Sequence, residues 1–224
     1  RVPVIDRSKC NSCGVCREVC AYHAFAVLPQ KVLFFPQMCH GCGACARFCP
    51  QKAIQEIDRS IGEIATGERE GIRFIEGKLA VGETMAPPLI RQVKSLIHPE
   101  GPVILDAPPG TSCPMVTTVK GSDFCLLVTE PTPFGMNDLQ LAIETVRKLG
   151  IPCGVVVNRA ESDDLKTRLY FKAHDIPVLM TIPFDRKIAE LYSVGTPLVE
   201  ALPEYREKFR DLYRTILEMA KVPA

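Results

Sequence analysis

The sequence has no charge imbalance and no long apolar run. Its 27 lysine and arginine residues are nearly balanced by 26 aspartate and glutamate residues, so the formal net charge is +1. The basic residues are scattered along the chain, which argues against a nucleic-acid-binding face. No apolar stretch approaches the roughly 20 residues that a helix needs to cross a bilayer. We therefore expect no nucleic-acid partner and no membrane span.

The sequence also has no recognisable secretory leader, because no apolar run follows basic residues near residue 1. A disulfide framework needs an oxidising compartment, so nothing here favours one. We expect a soluble protein of the cytoplasm. The first residue is Arg1 rather than Met, and we expect either a processed chain or a piece of a longer product.

Cysteine is what the chain has in quantity, and most of it follows one pattern that occurs twice. Eight of the 11 cysteines lie before residue 50. The first run is Cys10, Cys13, Cys16 and Cys20, and the second is Cys39, Cys42, Cys45 and Cys49, which Pro50 follows. This spacing is typical of bacterial ferredoxins with two 4Fe–4S clusters, in which the last cysteine of each run binds the other cluster. The predicted ligands are Cys10, Cys13, Cys16 and Cys49 for one cluster, and Cys39, Cys42, Cys45 and Cys20 for the other.

Zinc is the main alternative for so many cysteines. Zinc sites usually pair two short Cys-x-x-Cys units across a longer gap, and they seldom repeat the spacing found here. Gly14, Gly41 and Gly43 suit a backbone that wraps closely around an inorganic core. His40 lies inside the second run, and we interpret it as a neighbour rather than a ligand because eight cysteines already fill the ligand places.

The cysteine pattern and the rest of the chain predict two domains. Residues 1–60 are predicted to form a ferredoxin-like α+β domain, with a hairpin formed by residues 24–28 and 32–35. Residues 61–224 alternate between apolar strands and helices, which predicts an α/β domain with a parallel sheet covered on both faces. The predicted strands are 103–106, 124–129, 155–157 and 178–182, and the predicted helices are 87–97, 137–149, 162–174, 185–193 and 204–221.

Polar residues and proline follow several of these strands. Ligands of parallel α/β sheets bind at the carboxyl ends of the strands, where Asp106, Glu130, Asn158 and Pro183 are predicted to lie. Asp106 is followed by Pro-Pro-Gly-Thr. In a nucleotide-hydrolysing fold its carboxylate could hold Mg²⁺ through water, and the Gly110 amide could approach a γ-phosphate.

Four stretches resemble the MinD/Mrp class of P-loop ATPases, in the branch with an inserted ferredoxin domain. They are residues 77–83, 106–114, 129–135 and 157–160. The resemblance implies a partial parallel-sheet, P-loop NTPase-like domain, a homodimer, and ATP with Mg²⁺ in the intact protein. It also implies that Asp106 is the Walker B residue and Gly110 the switch II glycine. Asn158 would read the adenine, and Pro183 and Asp185 would form the loop beneath it; the structural alternatives are a turn residue for Asn158 and a helix N-cap for Asp185.

The chain departs from this family in one respect, because it has no Walker A loop. Its only Gly-Lys pair is Gly77-Lys78, with Ile72 at the position of the first glycine and Leu79 at that of the serine or threonine. We expect the sequence to begin inside a longer protein that supplies this loop and the first strand. The 224 residues alone are then expected to be inactive as an ATPase.

Three cysteines lie outside the runs. Cys113 stands where the related nitrogenase iron protein has a ligand of an intersubunit cluster, but the partner position, near Glu83 or Thr84, has no cysteine. We interpret Cys113 as a structural thiol, with a bridging third cluster as the alternative. Cys125 and Cys153 are predicted in the core, and the last helix is predicted to pack onto its domain rather than a membrane.

These observations predict an iron–sulfur protein with two 4Fe–4S clusters for electron transfer, coupled in the intact protein to a MinD-like ATPase. Its partner would be a redox protein or an acceptor of clusters. The alternative is a plain ferredoxin-type electron or cluster carrier whose α/β domain is a docking scaffold without hydrolysis. Purely structural clusters are a third possibility.

We predict that the 224-residue chain binds Mg-ATP weakly or not at all, because it lacks the backbone loop and the lysine that hold the phosphates. Titration calorimetry tests this directly. A dissociation constant in the micromolar range would contradict the prediction.

Overall fold

The computed structural model describes residues 1–98, 101–161 and 165–220. The chain divides into two compact units, Arg1–Glu100 and Gly101–Ala224. No helix within the described ranges is both long and apolar enough to cross a bilayer.

The first 57 residues form two small antiparallel strand pairs, two short α-helices and one 3₁₀ turn at Pro36–Met38. The elements are β1 (Val2–Ile5), α1 (Val15–Glu18), β2 (Phe25–Leu28), β3 (Lys31–Phe34), α2 (Ala44–Arg47) and β4 (Ile54–Ile57). Strand β1 pairs with β4, and β2 pairs with β3. The second pair confirms the predicted hairpin. Its residues Phe25 and Phe34 pack with Ile54 and Cys45 in a common core.

These elements form two equivalent halves, β1–α1–β2 and β3–α2–β4. In each half a glycine with positive φ precedes the helix, Gly14 at 88° and Gly43 at 73°. The Ala24 N–H donates to Cys20 Sγ, and the Ala53 N–H donates to Cys49 Sγ at the same distance of 3.3 Å. Strand β1 of the first half pairs with β4 of the second half rather than with β2, so hydrogen bonds between strands join the two halves.

A long hairpin and a helix complete the first unit. They are β5 (Gly62–Arg69), β6 (Ile72–Leu79) and α3 (Pro87–Ser95). Leu89 and Val93 of α3 pack directly over Gly77, where a side chain would leave them no room. The Arg59 guanidinium and the Glu83 carboxylate form a bidentate ion pair near the base of the hairpin. The first compact unit therefore includes this hairpin and helix, and the ferredoxin-like domain of residues 1–60 stays a prediction.

The second unit contains a parallel three-stranded sheet in the order β7-β8-β9. Its elements are α4 (Cys113–Val119), β7 (Cys125–Thr129), α5 (Pro133–Lys148), β8 (Cys153–Ala160), α6 (Leu165–Ala173), β9 (Val178–Pro183), α7 (Arg186–Ser193), α8 (Leu198–Ala201) and α9 (Glu204–Ala220). Helix α5 begins four residues before its predicted start, because Thr132 caps it by accepting the Gly135 N–H and Pro133 suits its first turn. Residues 162–164 and 221, which belong to two predicted helices, lie outside the described ranges.

Side chains on β8 alternate between two cores, so the sheet is covered on both faces as predicted. Val155 and Val157 pack with residues of α5 and α6, whereas Val156 packs with residues of β9 and α9. Full burial of a valine side chain contributes about 1.5–3 kcal/mol. The contacts of Tyr205 and Leu212 with Val156 confirm that α9 packs onto its own domain.

The predicted strand at residues 103–106 is wrong. Residues 102–108 have no regular structure, and the side chains of Val103 and Ile104 are 47% and 94% exposed. In the described part of the chain β7 pairs only with β8, so this apolar segment has no backbone partner. A strand that cannot complete its hydrogen bonds gains nothing from extended structure.

We predict that Gly62→Ala loosens the β5–β6 hairpin, because the added methyl group would collide with the Lys78 backbone carbonyl oxygen. The expected cost is about 1–3 kcal/mol, seen as faster hydrogen exchange of the β6 amides. Gly67→Ala in the same strand is the control, since an added Cβ there meets nothing within 4 Å. Equal exchange in the two variants would contradict the prediction.

Candidate metal centres

Four cysteines surround one cavity in the first unit, three from the first run and one from the second. They are Cys10, Cys13, Cys16 and Cys49. We call this space, which is partly open to solvent, the first cavity. Ile5, Val32 and Ile54 supply apolar walls.

The second cavity has the complementary set of cysteines. Its cysteines are Cys39, Cys42, Cys45 and Cys20. Three come from the second run and one from the first. The structure thus groups the eight cysteines into the two sets that the sequence predicts, while their roles as ligands stay a prediction.

Backbone geometry explains why the cysteines converge. Gly14 and Gly43, each at a positive φ, turn the chain between the second and third cysteine of their runs. Gly41 also has a positive φ, of 62°, and its N–H donates to Cys39 Sγ over 3.4 Å. Hydrogen bonds from backbone N–H groups to cysteine sulfur are among the interactions that tune iron–sulfur clusters.

Burial makes two of these thiols, Cys16 and Cys45, harder to ionise when no metal is bound. Burial raises the pKa of Cys45 to about 11, and burial also raises the pKa of Cys16. A metal ligand must be a thiolate, so loading these cavities releases protons.

The donor set fits a 4Fe–4S cluster in each cavity. A cube takes one thiolate on each of its four irons, so the sulfur atoms stand apart and surround a volume. A tetrahedral zinc site instead requires all four sulfurs about 2.3 Å from a single ion. Among the described residues, no group of three or more His, Cys, Asp and Glu side chains is placed to hold a single metal ion.

An aromatic stack lies at the second cavity. The rings of Tyr22 and His40, both lining residues, have centroids 3.4 Å apart and planes within 5° of each other. His40 therefore packs against Tyr22 beside the cysteines, and its interpretation as a neighbour rather than a ligand stays a prediction. The stack itself was missed, because no sequence pattern joins residues so far apart.

The strand ends of the second unit bring several of the predicted nucleotide residues to one edge of the sheet. Asn158 is half-buried near the end of β8, and Pro183 is the last residue of β9. Asp185 caps α7, accepting the Lys187 N–H over 2.8 Å. The N-cap interpretation of Asp185 is thus confirmed, and its contact with a nucleotide stays a prediction.

Two residues at this edge were missed by the sequence analysis. Arg159 has a positive φ of 54°, pairs with the Glu130 carboxylate at 3.3 Å, and lies over the Phe184 ring at 5.2 Å. Phe184 is 65% exposed. The available signal for Arg159 was its place beside Asn158 near the end of a predicted strand, because side chains at the ends of parallel strands gather at one edge of the sheet.

Asp106 and Gly110, the predicted Walker B and switch II residues, lie outside the sheet. Both are exposed on the irregular segment before α4. Gly110 has a positive φ of 88°, and a side chain there would meet nothing within 4 Å. The backbone at Gly110 is therefore accessible, while the roles of both residues stay predictions.

The three remaining cysteines differ in burial. Cys125 is buried and Cys153 half-buried in one core cluster, which confirms the prediction for both. Cys113 is exposed at the start of α4, so it does not pack as a core thiol.

Comparison with known proteins agrees with the cysteine geometry. Residues 2–50 match the family of 4Fe-4S dicluster domains, so the first unit contains a 4Fe–4S cluster-binding domain. The chain is 30% identical over 211 residues to the uncharacterized protein MJ0578 of Methanocaldococcus jannaschii, covering 93% of this chain and 72% of that protein. The chain belongs to the family of this archaeal protein.

Other relatives share shorter regions. The uncharacterized protein MJ0579 of the same organism is 33% identical over 164 residues, 72% of this chain and 55% of that protein. The iron-sulfur cluster carrier protein of Aquifex aeolicus is 27% identical over 135 residues, 54% of this chain and 36% of that protein. A cytosolic Fe-S cluster assembly factor, the Nubp2 homolog of Anopheles gambiae, is 28% identical over 134 residues, 51% of this chain and 52% of that protein. The chain thus spans only about a third to three quarters of the length of these relatives.

We predict that Cys113 and Cys125 differ sharply in alkylation. Burial raises the pKa of Cys125 to about 11, so its thiol is protonated and shielded at pH 8. Under anaerobic conditions iodoacetamide should label exposed Cys113 in the native protein, and Cys125 only after unfolding. Mass spectrometry of the two peptides measures this, and labelling at equal rates would show that the core around Cys125 is open.

Proposed function

We propose that the protein holds two 4Fe–4S clusters, one in each cavity, and uses them for electron transfer. The observation that supports this best is the grouping of eight cysteines into two sets of four, each set drawn from both runs. Four thiolates complete the coordination of a cube and leave no iron open for substrate. A cluster bound in this way accepts and releases one electron at a time.

The chain's own residues would hold each cluster in place and regulate its exposure to solvent. The N–H groups of Ala24 and Ala53 reach a ligand sulfur in each set and favour its negative charge. Cys13 and Cys42 are exposed, whereas Cys45 is buried. One side of each cluster would therefore lie near the surface, where a redox partner in the cytoplasm could exchange electrons with it.

In the intact protein we propose that ATP controls this electron transfer. Asp106 and Gly110 would act on Mg²⁺ and the γ-phosphate, and Asn158, Pro183 and Asp185 would contact the base. Support comes from the parallel sheet, whose strand ends carry three of these residues, and from the similarity to proteins of greater length. Nucleotide binding would then bias a homodimer between two states, with the cluster domain responding.

A second candidate function is cluster delivery. The names of two relatives, a cluster carrier protein and a cluster assembly factor, favour it. In a carrier the clusters are cargo, so they should pass to an apoprotein with vacant cysteines. In an electron carrier they should stay bound while the same apoprotein is present.

The interlaced ligand sets predict opposite results for two double variants. Cys13→Ser with Cys49→Ser alters one cavity only, so we expect about four irons per chain to remain. Cys13→Ser with Cys20→Ser alters both cavities, so we expect both clusters to be lost. Iron and sulfide analysis of anaerobically purified protein measures the difference.

The comparison is matched, because each variant carries two cysteine-to-serine changes and both share Cys13→Ser. Ligation within each run would give the reverse result, with iron kept in Cys13→Ser/Cys20→Ser and lost in Cys13→Ser/Cys49→Ser. Zinc in place of iron in the unaltered protein would refute the proposed function altogether.

A further inference from the structure

The two equivalent halves allow the cavities to be compared position by position. Cys10 corresponds to Cys39 and Cys20 to Cys49, and the same offset relates α1 to α2 and β2 to β4. The backbone follows this symmetry closely. The third residue after the last cysteine of each run has a left-handed backbone, with φ of 52° at His23 and 49° at Lys52. Any difference between the two clusters must therefore come mainly from side chains.

Glu56 is one such difference. It lines the second cavity, and its carboxylate oxygen lies 3.0 Å from the place that a Cβ on Gly43 would occupy. The equivalent position in the other half is Val27, which carries no charge. The second cavity thus has a carboxylate against its cysteine loop where the symmetry-related position is apolar.

Two basic residues lie near the first cavity. The Asp6 N–H donates to the Ala53 carbonyl oxygen over 2.7 Å, which brings Arg7 and Lys52, the adjacent residues in the sequence, to the same end of the β1–β4 pair. Lys52 directly follows Gln51, which lines the first cavity, and Arg7 and Lys52 are both exposed. Their equivalents beside the second cavity are Pro36 and His23.

Other charged groups lie near both cavities. Arg17 and Glu18 are on α1 and Arg47 is on α2, the helices that contain the third cysteine of each run. Lys9 pairs with Asp6 at 3.2 Å beside the first cavity. The Arg1 carbonyl lies over Gly41 of the second cavity, and the Arg1 side chain pairs with Asp58 at 3.4 Å. The Gly41 N–H bond to Cys39 Sγ acts against Glu56 by favouring added negative charge, but a neutral donor carries less charge than a carboxylate.

We propose that these charges give the two clusters unequal reduction potentials, so that the cluster held by Cys10, Cys13, Cys16 and Cys49 accepts the first electron. Reduction adds one negative charge to a cluster, which Glu56 opposes in the second cavity and Arg7 and Lys52 favour at the first. The electron comes from a one-electron donor that is oxidised in the same step, and no bond or proton changes place. An electron entering at the second cavity would therefore pass on to the first. This inference rests on the proposed function.

A potentiometric titration followed by EPR tests the proposal on anaerobically purified protein. Glu56→Gln should raise the lower of the two potentials, increasing the reduction equilibrium constant about twofold to tenfold, where tenfold is 59 mV for one electron. The higher potential should not move. Glu76→Gln is the control, because it removes the same charge from β6 in the same unit and lines neither cavity.

A second variant should act in the opposite sense. Arg7→Gln with Lys52→Asn should lower the higher potential only, and asparagine tolerates the left-handed backbone at residue 52. Cys13→Ser/Cys49→Ser, which keeps only the cluster of the second cavity, should titrate at the lower potential and so assign the two steps.

Three results would overturn the proposal: equal potentials, a Glu56→Gln shift no larger than that of Glu76→Gln, or a shift in the step assigned to the first cavity. Each requires that both clusters be present. A protein without iron would instead refute the proposed function on which the inference depends.

Discussion

The exchange of one cysteine between the two halves of the first unit is the constraint on which its structure depends. Cys49 lines the cavity of the first run and Cys20 that of the second, so neither half can complete a set of four alone. The pairing of β1 with β4 makes this exchange possible, because it carries the end of the second half back to the start of the first. If the cysteines bind clusters as proposed, we expect cluster binding and folding to be coupled, because the ligands meet only in the folded chain.

The cluster cysteines could be grouped from sequence because their spacing is a local property. Three cysteines on one tight loop converge in any fold that turns at Gly14 or Gly43, and the fourth cysteine of each set follows from the doubled pattern. The same holds for the existence of α5 and for β8, which is apolar almost throughout, although the start of α5 was placed four residues late because Thr132 and Pro133 were not recognised as its N-terminal signals. The features that were predicted correctly depend on residues that lie close together in the sequence.

The failures were long-range. The apolar run Val103 to Leu105 has the composition of a buried strand, but a strand also needs a partner, and the described residues offer it none. The Tyr22–His40 stack and the contact of Arg159 with Phe184 join residues distant in sequence, so no periodicity indicates them. The charge difference between the cavities was hidden for another reason: it appears only when Glu56 is compared with Val27 and Lys52 with His23, which requires the symmetry of the fold.

The proposed function requires that one chain carry two 4Fe–4S clusters close enough to interact. EPR of anaerobically purified, dithionite-reduced protein, combined with iron analysis, can detect both clusters in one sample. We expect about eight irons per chain and a spectrum broadened by magnetic coupling between two reduced clusters. A spectrum of one isolated cluster with about four irons, or zinc without iron, would contradict it.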